Sequence, residues 1–176
     1  MAKDSEKTAG GVFGFVKGLM SKAAADKTLK VYSPVEGRVM DIKQSADAAH
    51  QQEALGKGVC FMPQGGKIYA PVDGTVDMVF DTKHAVNIVS SGGVELLIHC
   101  GIDTVKLGGD GFTVHVKAGD KVSVGQLLLE YDKDVIDRAG YSLETQLVVC
   151  NTDNYKQITP AKTGDVVVGE VVLHLE

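Results

Sequence analysis

The stretch TKHAVNIVSSGGVELLIHCGIDTV, residues 82–105, decides how this chain is read. Two runs rich in Val, Ile and Leu, 84–90 and 94–100, flank Ser90-Ser91-Gly92-Gly93. Apolar runs of this length, broken by a Ser/Gly cluster, read as two strands joined by a tight turn. With Ser91 and Gly92 at the centre of the turn, facing positions sum to 183, which sets His84 opposite His99 and Val86 opposite Leu97. Directly opposed Cβ atoms of an antiparallel pair lie ~4.5–5.5 Å apart on one face. A one-residue slip would break this pairing. Two unpartnered histidines are costly on so apolar a hairpin. They therefore read as chemistry, either part of a zinc ligand set or one nucleophilic imidazole assisted by a second. Thr82, two residues before His84, shares its face and is placed to fix that ring's tautomer. Asp103, beyond Gly101, is placed to present charge at the rim.

Outward from the hairpin the β pattern continues. Short Val/Ile/Leu-rich runs at 35–42, 58–62, 75–80, 112–117, 126–131, 145–150 and 166–175 complete a set of nine. Gly, Pro, Asp and Ser separate them. The pattern predicts an all-β chain, an antiparallel sandwich or barrel-like fold. Helix is confined to 132–140, capped by Asp132 and stopped by Gly140, and to a single turn at 47–55. The body repeats itself. YSPVEGRV at 32–39 matches YAPVDGTV at 69–76, an offset of 37, and VGQLLL at 124–129 echoes VGEVVL at 168–173. Two echoes of this kind predict duplicated strand–turn–strand units.

Composition narrows the function. The chain has 176 residues with 44% hydrophobic and 23% charged, enough for one packed core. Residues 1–30 hold six Lys and three acids, a charge of +3; the whole chain carries −5, so 31–176 carries −8. An acidic body with only 6% aromatics offers no basic stripe or stacking platform for nucleic acid. The three cysteines, Cys60, Cys100 and Cys150, are too few and too scattered for a disulfide scaffold and point to a reducing, cytoplasmic setting. The chain divides into a flexible tail, 1–30, and a body, 31–176. Within the tail, 12–23 carries Val12, Phe15, Val16, Leu19, Met20 and Ala23 at helical spacing, with Lys17 and Lys22 on the other faces. That segment reads either as an amphipathic anchor for an anionic membrane surface, at the inner face of the membrane, or as a helix docked on the body or a fraying tail.

Four segments then carry a family resemblance: APVDG (70–74), TKHAV (82–86), GVELLIHCGIDTVKL (93–107) and GDGF (109–112). They resemble the glucose-type enzyme IIA of the bacterial phosphoenolpyruvate-dependent sugar phosphotransferase system, from about Val31 to Glu176. The resemblance implies a phosphocarrier that accepts a phosphoryl group from the histidine of phospho-HPr onto His99. It then passes the group to a cysteine of the IIB domain of a sugar permease. It implies that His84 stabilises the phosphoryl group, that Thr82 joins the hydrogen-bonded relay, and that Asp47 and Asp103 are rim acids. It places Phe80, Leu97 and Val105 on an apolar docking surface. The resemblance implies no required cofactor; it brings in zinc only at a regulatory interface, where the unphosphorylated protein would bind a permease or kinase and His84 and His99 would meet a partner's carboxylate.

The chain departs from the family at DAAHQQEALGKG, residues 47–58. Family members usually carry an aromatic residue where His50 stands, larger apolar residues at Ala48 and Ala49, and an acid at Lys57. These changes predict a smaller, more polar docking rim; His50 reads as a solvated loop residue in preference to a third imidazole near the pair. Cys100, next to His99, is expected on the opposite face, in the core. Two other classes fit poorly. A zinc peptidase on related β-units would use the His99–Asp103 spacing, but the H-x-H that completes such a site is missing around His115. A biotinyl or lipoyl carrier would share APVDGTV and GDKVSVGQLL, but Lys83 lacks the sequence context of a carrier lysine.

Overall fold

The structure, a computed structural model, describes residues 28–176, so the amphipathic segment 12–23 lies outside the described residues. Among the described residues the chain forms fourteen strands. In chain order they are β1 (Leu29–Tyr32), β2 (Gly37–Asp41), β3 (Lys57–Pro63), β4 (Lys67–Tyr69), β5 (Gly74–Val79), β6 (Ala85–Ser90) and β7 (Glu95–Ile102). They continue with β8 (Phe112–Val114), β9 (Lys121–Val122), β10 (Leu127–Tyr131), β11 (Ser142–Val149), β12 (Ile158–Pro160), β13 (Gly164–Val166) and β14 (Val171–Leu175). Every strand pairing is antiparallel. The expected sandwich is what forms. An eight-stranded sheet, β13-β2-β3-β11-β7-β6-β5-β9, is accompanied by two three-stranded sheets, β1-β14-β12 and β4-β10-β8.

The repeats seen in the sequence are halves of this architecture. In the first copy Tyr32 donates its N–H to Pro71 O (2.9 Å); in the second Tyr69 donates to Pro34 O (2.9 Å). The weaker echo behaves alike. Gly125 donates to Ala70 O (2.9 Å) and Gly169 donates to Ser33 O (3.1 Å). Each contact in one half thus has its counterpart in the other. Under this correspondence β13-β2-β3-β11 maps onto β9-β5-β6-β7, and β1-β14-β12 onto β4-β10-β8. An approximate two-fold axis therefore crosses the large sheet between β7 and β11, near the Ile98–Leu147 pair. The β2–β3 connection and the β5–β6 connection are equivalent under it. Five short strands (β1, β4, β9, β12 and β13) lie wholly or largely outside the nine predicted runs, because strands of two to four residues are too brief to show an alternation.

The middle strands of the large sheet are buried on both faces. One face packs into the main core with Val59, Phe61, Val86, Ile88, Ile98, Cys100, Leu147 and Val149. Cys100 is there, as alternation from His99 requires. The other face carries a smaller cluster of Ile42, Cys60, Ala85, Leu97 and Val148, edged by Met40 and Phe80. The two helices sit where expected. Asp132 caps Lys133–Arg138 by accepting from the Asp134 and Val135 N–H groups, and Asp47 caps Ala48–Gln51 by accepting from those of Ala49 and His50.

Candidate active site: three imidazoles over a buried carboxylate

The β6–β7 hairpin differs from the sequence reading by one residue. Ser90 N–H bonds Val94 O (2.8 Å) and Gly93 N–H bonds Ser90 O (3.0 Å), so the loop is three residues long, with Gly93 at φ 85°. A type I turn closed by a left-handed glycine is a common three-residue solution. Facing positions therefore sum to 184, with Ala85 opposite His99 and Val86 opposite Ile98. The expected His84–His99 cross-strand pair does not form in that register.

The rings meet by another route. His84 precedes β6, in a tight loop where Lys83 N–H bonds Phe80 O (2.8 Å) and Phe80 N–H bonds Ala85 O (3.1 Å). Lys83 takes φ 59°, left-handed, so strand alternation no longer governs where His84 points. Its ring reaches the His99 ring, centroids 4.9 Å apart and planes perpendicular. Phe80 packs edge-on against His84 at 5.7 Å. Thr82 Oγ1 is 2.7 Å from His84 Nδ1.

His99 is held from below by a relay that the sequence reading missed. Its Nδ1 lies 3.0 Å from Oε1 of Gln146, the residue directly opposite on β11. The Gln146 amide is fixed at its other end, where Nε2 donates to Glu144 O (3.3 Å) and to Glu144 Oε1 (3.1 Å). Oε1 is thereby the acceptor facing His99, and Nδ1 must donate. Glu144 is buried, and its carboxylate also accepts from the Ser45 hydroxyl and the Ala46 N–H. The signal for this relay was Glu144-Thr145-Gln146, three polar residues leading into an apolar strand. Opening that strand at residue 145 hid Glu144.

His50 overturns its expected role. It is 3% exposed, on the turn Ala48–Gln51, and its ring lies 5.2 Å from the His99 ring. It is a third imidazole at the site, not a solvated loop residue. Asp47 is the helix cap beside it, with Oδ1 3.0 Å from His50 Nδ1. The remaining expected residues are dispersed. Leu97 is buried in the smaller cluster, so it supports the site from beneath and offers little docking surface. Phe80 is half-buried at the edge of that cluster, and Val105 is exposed. Asp103, left-handed at φ 63°, pairs with Lys106 (3.2 Å).

The electrostatics keep the central rings neutral. Burial, aided by the nearby His99, lowers the His84 pKa to about 4. Burial also lowers His99, against the Gln146 hydrogen bond that raises it. Burial would raise Asp47, but the backbone N–H and ring of His50, with the Ala49 N–H, outweigh it and hold the carboxyl below its usual range. Among the described residues no group of three or more His, Cys, Asp and Glu side chains is arranged to hold a metal ion. Nor is any helix among them long and apolar enough to cross a membrane.

Fold and site together define a class: a duplicated antiparallel sandwich presenting a neutral, oriented imidazole on one face of its main sheet. Comparison with known proteins places the chain within that class. The family profile described as phosphoenolpyruvate-dependent sugar phosphotransferase system, EIIA 1, matches residues 29–155. The PTS system glucose-specific EIIA component of Oceanobacillus iheyensis is 38% identical over 149 residues, covering 85% of this chain and 90% of that protein. The beta-glucoside-specific EIIBCA component of Dickeya chrysanthemi is 46% identical over 144 residues, 82% of this chain. The chain spans only 22% of that longer relative. The glucose permease IIA of Mycoplasma capricolum superposes with a TM-score of 0.79 at 34% identity, covering 86% of this chain and 97% of that one. The chain belongs to the EIIA type 1 family of the sugar phosphotransferase system.

Proposed function

We propose that the protein carries a phosphoryl group on Nε2 of His99, received from phospho-HPr and delivered to the IIB domain of a sugar permease. The observation that carries this reading is the Glu144–Gln146–His99 relay. It engages Nδ1–H and leaves the Nε2 lone pair as the nucleophile. The depressed His99 pKa supports it, since a neutral ring is the reactive form near pH 7.

The transfer is a displacement at phosphorus. The Nε2 lone pair forms the new N–P bond while the N–P bond to the donor histidine breaks, leaving its electron pair on that imidazole. Positive charge grows on the His99 ring, and Gln146 Oε1 stabilises it through Nδ1–H. His84, neutral near pH 7, donates from Nε2 to the phosphoryl oxygens when Thr82 donates its hydroxyl hydrogen to Nδ1. Exchange between nitrogen and nitrogen is close to balanced in energy, so alignment and charge stabilisation supply the catalysis. The fusion implied by the name of the EIIBCA relative supports a IIB partner. Incubation with labelled phosphoenolpyruvate, enzyme I and HPr tests the reading. The wild type takes up one acid-labile phosphoryl group, His99→Ala takes up none, and His84→Gln is labelled but slow to pass the group on. Labelling of His99→Ala would show that another residue is the acceptor.

A further inference from the structure

His50 is buried, yet neither ring nitrogen has an aligned hydrogen-bond partner. Nδ1 approaches Asp47 Oδ1 at 3.0 Å, but off the line of a hydrogen bond, and that oxygen already accepts from the Ala49 and His50 N–H groups. Nε2 is enclosed and has nothing to bond. Burying an imidazole this way costs stability that a phenyl ring at the same place would not. Such a group calls for an explanation. Its surroundings supply one, because the His50 ring packs at 5.2 Å and 47° on the His99 ring.

The two-fold correspondence sharpens the point. His84 comes from the β5–β6 connection and His50 from the equivalent β2–β3 connection. Each touches the His99 ring, and no ring contact joins His50 to His84. The two halves of the fold thus each deliver one imidazole to the same central ring. The three do not converge as a metal site. Both outer rings pack against the His99 ring.

We propose that His50 is a third catalytic residue, whose buried Nε2 donates to the oxygens of the phosphoryl group on His99. The proposal rests on His99 being the phosphoacceptor. Nε2 donates when it carries the ring's proton. The dianionic phosphoryl group then fills the hydrogen bond that the free protein leaves unmade. His50 makes and breaks no covalent bond.

The test uses the full chain with enzyme I, HPr and a IIB domain, comparing wild type, His50→Phe and His50→Gln. His50→Phe keeps a ring and removes the donor; His50→Gln keeps an N–H. His50→Phe should slow phosphoryl transfer about 10- to 100-fold, the range expected for one charge-assisted hydrogen bond, with KM for phospho-HPr unchanged. Its melting temperature should be no lower than that of the wild type, since a buried unmade hydrogen bond is gone. His50→Gln should recover most of the rate. Transfer by His50→Phe at the wild-type rate overturns the proposal, as do equal losses in both variants, which would mean that an N–H at this place does not restore transfer. A wild type that takes no label overturns the His99 reading itself, and this inference with it.

Discussion

Gln146 links the fold to the chemistry at the scale of one side chain. It is buried on β11, opposite His99, and its amide can turn only one way because Glu144 holds its Nε2. Gln146→Leu should therefore lower the rate of phosphoryl uptake about 10-fold without changing KM, since the His99 ring loses the acceptor that orients it. It should also cost about 1–3 kcal/mol in urea unfolding, because Glu144 loses a donor while remaining buried. His84 makes a pH-dependent contribution. Its pKa is near 4 in the folded protein and 6.5 when exposed, so between those values the unfolded chain binds more protons. The stability that depends on a neutral His84 is complete above about pH 6.5 and is lost as pH falls toward 4. Urea titrations from pH 7 to 4 should show this loss in the wild type and a smaller one in His84→Gln. At this scale the sequence announced His84, His99 and Thr82, because polar residues on an apolar hairpin demand an explanation. Gln146 was not legible, and for His50 the third-imidazole reading was the less favoured of two. Their importance comes from burial against a ring far away in the chain, and no local pattern records that.

Among elements, the β6–β7 hairpin shows where local reading reaches its limit. Ser-Ser-Gly-Gly announces a turn, but whether the loop has two residues or three depends on which glycine takes a positive φ. That choice moved the register by one and should have separated the histidines. The left-handed Lys83 before β6 undid the difference by re-aiming His84. The duplicated unit was legible because its Pro and acid–Gly signals lie within eight residues. It makes a symmetrical prediction. A Cβ on Gly37 would stand 2.2 Å from Met62 O, and one on Gly74 would stand 2.2 Å from Val89 O. Neither backbone can yield without breaking its ladder. Gly37→Ala and Gly74→Ala should each cost about 1–3 kcal/mol by thermal or urea unfolding, and by similar amounts. A large effect at one position and none at the other would contradict the structural equivalence of the halves.

At the scale of the whole molecule, charge bears on encounter with a partner, and the site on the proposed transfer. The body, residues 31–176, carries −8, which favours approach of a basic partner. Raising ionic strength should lower kcat/KM for phospho-HPr steeply while leaving the single-turnover rate at saturation nearly unchanged. An equal fall in both would place the electrostatics in the chemical step. The proposed phosphoryl site is Nε2 of His99, because Gln146, fixed by Glu144, occupies Nδ1. The most direct measurement is phosphorus–nitrogen correlation by NMR on the phosphorylated protein labelled with nitrogen-15 in its histidines. The account predicts one phosphorus coupled to Nε2 of His99 and absent from His99→Ala. Coupling to Nδ1, or to the ring of His84 or His50, would contradict it.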